Sequence, residues 1–393
     1  TVTSADFQKN CLKLFGHNYN DDEMLPLREL FMNAQTLYAY RLNGGGVKAA
    51  NTFCTAKYTG TAGNKLYVVI ATNADSSSLF DVSLYYDTTL LDAQTVAAAT
   101  ALKDNDFVTW KTNATLEVTT KTALTGGTNG TANAAAHQAA LDKFESYSFN
   151  TLGCPTDDNT TAKLYMNYTK RMRDEIGAKF QTVIFNLSSN AKIADYEGVI
   201  EVASKATDYP SNVAGIGQYA LVYWVTGASA GCAVNKSNTN KKYDGELSID
   251  VDKTQADLAA DIEAGRFVMH NVNGDVRVLE DINSLTTTSD TKGDIFKSNQ
   301  TIRVCDQIAN DAAVLFNTRY LGVVANDAAG RISLWNDICK LHQALENIRA
   351  IENFEPDSVT VEQGETKRSV LCTIKDLNII NAMEQLYMSI VIM

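Results

Sequence analysis

Apolar positions recur along this chain at two periods, and the switches between them divide it into segments. Near the start, Phe7, Cys11, Leu14 and Phe15 fall three or four apart, the spacing of one helix face. Ser4 is placed to cap that helix and Gly16 to close it. A second helix is expected from Pro26, a favoured first-turn position, through Leu27, Leu30 and Phe31. Residues 36–42 then read as a strand ended by Gly44-Gly45-Gly46. From there to Gly126-Gly127 the texture changes to short Thr- and Val-rich runs at 52–58, 66–71, 80–85, 107–111 and 115–119, punctuated by Gly, Asn and Asp. That pattern predicts a small antiparallel β domain, a barrel or sandwich.

Helical spacing resumes at Ala140, Leu141 and Phe144, and a strand is expected after it at 149–153. A helix bearing Ala162, Tyr165, Met166, Thr169, Met172 and Ile176 leads into a strand at 180–186. This βαβαβ run implies an α/β core with a parallel sheet, the β domain being inserted after its first strand, 36–42. Apolar segments at 199–203 and 217–225 are expected to extend the sheet. Beyond them lie a polar loop at 235–240, a short helix at 255–264 and a hairpin of 267–270 with 276–279, turning at Asn273-Gly274-Asp275. Two long amphipathic helices come next, one with Cys305, Ile308, Ala309, Ala312, Leu315 and Phe316 on a face. The other carries Leu334, Trp335, Ile338, Leu341, Leu345 and Ile348, and the two are expected to pair antiparallel. Strands at 358–361 and 368–373 complete an α+β C-terminal region. The expected division is an α/β core of 1–44 plus 127–290, an inserted β domain of 45–126, and a C-terminal domain of 291–393.

The last residues, Gln385, Leu386, Tyr387, Met388, Ser389, Ile390, Val391, Ile392 and Met393, form an apolar run that reads as a strand. Termini are ordinarily polar and frayed, and a bare apolar edge invites pairing with another chain. Two alternatives stay open on pattern alone: a strand given to a neighbouring subunit in a polymer, or a strand buried in the chain's own sheet.

Length and composition narrow the classes. At 393 residues, two or three domains are expected, and 45% hydrophobic with 20% charged residues describes a folded protein. A net charge of −12 argues against direct nucleic-acid binding as its main business. The basic runs Lys170-Arg171-Met172-Arg173 and Lys241-Lys242 are read as solvated faces. Seven cysteines, an odd number with no CxxC pair, include Cys11, Cys305 and Cys339 on apolar helix faces. Reduced thiols and cytoplasmic assembly are therefore expected. No apolar stretch reaches membrane-spanning length and no signal peptide is visible, so stable membrane insertion is not expected. Because the chain starts at Thr1, a further N-terminal segment is expected to precede it.

One catalytic motif is present as text. Gly227-Ala228-Ser229-Ala230-Gly231 matches G-x-S-x-G, whose serine in a hydrolase sits on a strained strand-to-helix turn. The run Tyr219–Val225 before it reads as a strand or, equally well, as part of a helix over 217–231, and an Asn-rich loop comes after it. No acid is specified, and only His270 and His342 lie downstream as bases. His17, His137, His270 and His342 lack metal-ligand spacing, so no metal and no cofactor is expected. Asp250-Val251-Asp252 lacks the glycine and distal glutamate of a calcium loop, and Gly44-Gly45-Gly46 opens no helix that would receive a phosphate. The residues make no case for an enzyme.

From Asn235 onward the chain resembles the tail sheath proteins of contractile-tailed phages and phage-tail-like particles, in the short form of Gram-positive prophages. The resemblance rests on Val225-Thr226-Gly227 through Glu246, on Arg277-Val278-Leu279-Glu280-Asp281-Ile282-Asn283, and on Leu315 through Gly322. It continues in Gly330 through Ile338 and in Asn347 through Phe354, with Val359 through Gly364. The N-terminal half matches in layout. The resemblance implies a subtilisin-like α/β core without its catalytic residues. It implies subunits stacked in helical rings, a homo-polymer, around an inner tail tube, with baseplate and tail terminator proteins as further partners. It also implies a tube-facing C-terminal domain, and a mesh in which 385–392 and an N-terminal arm of neighbours share one sheet. Contraction would drive the tube through a cell envelope, from a tail assembled in the bacterial host cytoplasm. A headless bacteriocin or injection particle remains an alternative, as, from another class, does a hydrolase using Ser229. Asp281, Arg319, Arg331 and Asp337 are candidate interface charges or, alternatively, local packing charges.

Overall fold

A computed structural model describes residues 1–213 and 215–392, so Met393 of the expected terminal strand lies outside the described residues. The chain forms two compact units, one of Thr1–Met24 with Thr36–Tyr147, the other of Leu25–Gln35 with residues from Ser148 onward.

In the first unit, helix Ser4–Phe15 starts from Thr3, whose hydroxyl accepts from Asp6 N–H at 3.1 Å, one residue before the expected cap. Gly16 ends it at φ 78°, a left-handed conformation that costs glycine little. The expected strand at 36–42 shrinks to Thr36–Leu37, paired antiparallel with Val2–Thr3. It is therefore no part of a parallel sheet.

Beyond it lies a β-sandwich. One sheet has the order Lys48–Ala50, Cys54–Thr59, Val108–Trp110. The other has the order Thr89–Val96, Phe80–Tyr86, Leu66–Thr72, Thr119–Ala123. Alternation decides which side chains enter the core: Leu66, Val68 and Ile70 from one strand meet Val82, Leu84 and Tyr86 from the next, all buried. Cys54, Ala56, Val108 and Trp110 close the core from the opposite sheet. Thr89–Val96 had no sequence signature because Asp92 and Gln94 interrupt its apolar run. It is set by a two-residue turn in which Asp87 takes φ 48°. The stem of the sandwich closes where Val47 and Thr128 exchange backbone hydrogen bonds of 3.0 and 3.1 Å.

The second unit is built on a four-stranded parallel sheet in the order Thr151–Cys154, Gln181–Phe185, Val199–Val202, Arg266–Phe267. Helix Asn159–Arg171, capped by Asp158, makes the first crossover. All five residues of Gln181–Phe185 are buried, the pattern of a strand covered on both faces. The segment expected at 217–225 to extend this sheet instead begins the helix Leu221–Gly231, apolar nearly all round and almost wholly buried. An all-apolar run suits a buried helix as well as a buried strand, which is why periodicity did not separate them.

The expected hairpin forms two residues later on its first strand, as Met269–Val272 with Asp275–Val278, because Arg266–Phe267 joins the parallel sheet; helices Asn299–Leu315 and Ala328–Asn347 form as expected. Arg173 corrects the expectation of a solvated basic run. It is buried and grips Asp306 at 2.6 and 2.8 Å, while also donating to the Phe180 carbonyl. This bidentate pair ties the helix after the first parallel strand to helix Asn299–Leu315. Among the described residues, no helix is long and apolar enough to cross a membrane.

Candidate functional site

Two places hold the residues singled out above: the buried helix with its G-x-S-x-G text, and the C-terminal region. Ser229 lies within helix Leu221–Gly231, not on a strand-to-helix turn. It is 4% exposed, and its Oγ has no hydrogen-bond partner. A buried hydroxyl with no base beside it cannot act as an activated nucleophile. The flanking glycines have a mechanical explanation instead. A Cβ on Gly227 would stand 2.2 Å from the Leu30 carbonyl oxygen, and one on Gly231 would stand 2.2 Å from that of Asn33. Four residues apart on one helix face, the two glycines let this helix pack backbone to backbone against Leu25–Phe31 and the turn after it. Neither downstream histidine meets Ser229. His342 Nδ1 lies 2.9 Å from the Ile338 carbonyl and its ring stacks on Phe354, while His270 sits in the hairpin.

In the C-terminal region, Ser298 caps helix Asn299–Leu315 and Asp327 caps helix Ala328–Asn347 through Gly330 N–H at 2.8 Å. Leu315, Tyr320, Leu334, Ile338 and Cys339 pack together over Val359. Val359 begins the hairpin Val359–Gln363 with Val370–Ile374, whose first residue is fixed by Trp335 Nε1 donating to its carbonyl at 2.9 Å. This hairpin pairs with no further strand among the described residues.

The four singled-out charges fall in different settings. Asp281 is buried and accepts from Asn238 N–H, Asn299 Nδ2 and Arg303 Nη2 at 2.9, 2.9 and 2.6 Å, so it ties the 235–240 loop to the start of helix Asn299–Leu315. Arg319 and Asp337 approach at 3.5 Å. Hydrogen bonds from Lys340 and Tyr320 hold the Asp337 carboxyl below its usual range. Arg331 donates to the carbonyl and side chain of Asn326, both at 3.1 Å, bracing the turn before its own helix.

The segment after Ile379 changes character at one residue. Ile380 N–H donates to Ala350, and Gln300 clamps the backbone at Ile380 and Ala382 with bonds of 3.0 and 2.9 Å. Thr301 reaches Asn381, and Ser237 and Thr239 both donate to Glu384. Beyond Glu384 these ties stop. Residues 385–392 form no strand within the chain, and Leu386, Tyr387, Met388, Ile390, Val391 and Ile392 are 73–91% exposed. Gln385 accepts from nearby Tyr387 at 2.8 Å, and Ser389 is exposed between apolar neighbours. Transfer of such side chains from water is worth about 1.5–3 kcal/mol each, so a partner surface for them would be strongly favoured. The clamp residues Gln300, Thr301, Ser237 and Thr239 carry no sequence signal, because they are defined only by what the fold brings to 380–384.

Comparison with known proteins covers most of the chain. Three family models match in succession. They are described as the phage tail sheath protein beta-sandwich domain over residues 44–129, central domain over 130–284, and C-terminal domain over 291–393. The chain is 34% identical over 329 residues to an uncharacterised Bacillus subtilis protein, YqbK, covering 76% of this chain and 68% of that one. Its structure is similar to that of the sheath tail protein from Desulfitobacterium hafniense. The TM-score is 0.80 at 33% identity, over 90% of this chain and 83% of that one. At 14% identity and TM-score 0.54, over 68% of this chain and 78% of that one, the fold alone is shared with a chain described as the anti-feeding prophage helical sheath in its contracted state.

Proposed function

The chain belongs to the phage tail sheath protein family, and we propose that it polymerises helically around an inner tube and contracts to drive that tube through a cell envelope. The observation that carries this reading is the apolar run 385–392, released into solvent immediately after a segment clamped at Ile380, Asn381, Ala382 and Glu384. In the assembled sheath, 385–392 adds as a strand to a neighbouring subunit. Backbone hydrogen bonds supply directional affinity, and alternate side chains fill pockets. The hairpin Val359–Gln363 with Val370–Ile374 is the acceptor, since a two-stranded sheet has a free edge on each side.

Contacts of this kind join different surfaces on the two partners, and repetition without closure generates a helix. A strand tether rooted at Glu384 allows the globular parts to rotate as rigid bodies while the chain of links persists. On this reading residues 291–393 face the tube and link subunits, baseplate and tail terminator proteins bound the polymer, and the particle assembles in the host cytoplasm. All seven cysteines are free thiols, as a reducing compartment would keep them. The parallel sheet is the core of a subtilisin-like layout that serves as a scaffold and performs no catalysis.

Removing residues 385–393 tests the reading. The truncated chain is expected to keep the melting temperature of the full chain and to sediment as a monomer under conditions where the full chain forms rings or tubes. Unimpaired assembly by the truncated chain would contradict it.

A further inference from the structure

The turn after the first helix brings together three potential metal ligands that the proposed sheath function does not use. Gly16 reverses the chain, Asn18 N–H donates to Asp21 Oδ2 at 2.8 Å, and Asp21 N–H donates back to the Asn18 carbonyl at 3.0 Å. A short 3₁₀ turn, Asp22–Met24, then carries Glu23 back toward His17. As a result, one nitrogen of His17 and one carboxylate oxygen each of Asp21 and Glu23 lie within 4.8 Å of one another.

His17 Nδ1 stands 3.5 Å from Glu23 Oε1 and 3.9 Å from Asp21 Oδ2, and this nitrogen is buried without a hydrogen-bond partner. Those distances are long for hydrogen bonds. The His17–Glu23 distance suits two ligands sharing an ion, because ligand atoms about 2.0–2.2 Å from a tetrahedral metal stand roughly 3.3–3.6 Å from each other, and Asp21 Oδ2 would close by a few tenths of an ångström on binding.

A second observation points the same way from a different element. Tyr86, on the sandwich strand Phe80–Tyr86, is 2% exposed, and its buried hydroxyl has no hydrogen-bond partner. Burial, and then the charges of Asp21, Asp87 and Glu23, push the pKa of that hydroxyl up. A buried donor of this kind ordinarily has an acceptor, and a metal-bound water or carboxylate would provide one. Of the nearby cations, Arg41 binds Asn43, the Thr59 carbonyl and Asn129, and Lys65 lies 3.9 Å from Asp87 and over the Tyr86 ring at 5.6 Å.

We propose that His17, Asp21 and Glu23 bind a divalent transition-metal ion, Zn²⁺ by the chemistry of the set, and that the ion locks the turn following helix Ser4–Phe15. One imidazole with two carboxylates suits Zn²⁺ better than Ca²⁺ or Mg²⁺, which take oxygen ligands in larger number or keep their waters. Three protein ligands leave a fourth position for water. Histidine and cysteine spacing gives no hint of this set, because two of its three ligands are carboxylates in an acidic chain.

The test is calorimetric titration of Zn²⁺ into the metal-free, reduced full chain, with Co²⁺ absorption as a ligand readout. One saturable site is expected. Glu23→Gln, at a half-exposed position that tolerates the change, should weaken it by at least ~10-fold, as should His17→Ala. The Co²⁺ complex should show no near-ultraviolet thiolate band. Absence of saturable binding, unchanged affinity in Glu23→Gln, or a thiolate band marking capture by the cysteines would each overturn the proposal. Should His17→Ala fail to fold, Glu23→Gln decides alone.

Discussion

At position 229 a serine hydroxyl is buried in a helix with nothing to donate to or accept from, so the side chain bears a desolvation cost and returns no contact. Ser229→Ala is therefore expected to raise stability by roughly 1 kcal/mol, from the unpaired polar group removed and from alanine's better helix propensity. Denaturant unfolding measures this, and a loss of stability would show that the hydroxyl has a partner. Asp195 is the opposite case. Burial would raise its pKa, but hydrogen bonds from the Thr287 hydroxyl and from the Thr286 and Thr287 amides overcome that and lower it from 3.8 to about 2. A depressed folded-state pKa contributes stability that is present above the unfolded value and lost as pH falls through the folded one. Asp195→Asn is thus expected to melt lower than the parent at about pH 6, with the gap closing between pH 3.8 and about 2. A gap that stays constant over that window would assign the effect to packing instead.

The element that most changes meaning between sequence and structure is helix Leu221–Gly231. As text, Gly227-Ala228-Ser229-Ala230-Gly231 looks like a nucleophile turn; as an element, its two glycines are the contact face for the backbone of Leu30 and Asn33. Gly227→Ala would place a methyl group 2.2 Å from a carbonyl oxygen, which forces the two segments apart. The expected cost is on the order of 2 kcal/mol, outweighing the ~1 kcal/mol that alanine gains in a helix. Equal or higher stability by thermal melting would mean the pair of helices is loosely held.

Elements with a strong period were legible: the two long C-terminal helices, the hairpin turning at Asn273-Gly274, and the parallel strands after residue 148. Elements decided by tertiary context were not. Thr89–Val96 owes its pairing to a turn at Asp87, and Arg173 within a basic run is internal because Asp306, far along the chain, meets it. The tail run was legible as apolar and unusual, but the clamp that ends at Glu384 was not. Its partners are scattered over residues 237–301 and become neighbours only in the fold.

At the scale of the whole molecule, a β-sandwich and an α/β body each bury a core of their own without a neighbouring subunit. The exposed apolar run 385–392 does not, because its apolar side chains are left in solvent and it forms no strand within the chain. In the proposed sheath, another copy of this chain covers it. Helical reconstruction by electron microscopy of cylinders formed by the full chain is the decisive experiment, because it locates the residues beyond Glu384. Striated hollow tubes are expected, in which 385–392 runs as an added strand on the Val359–Gln363 and Val370–Ile374 hairpin of an adjacent subunit. Tubes in which that segment folds back onto its own subunit, or a full chain that forms no tubes with the inner tube protein present, would refute strand exchange as the link between subunits.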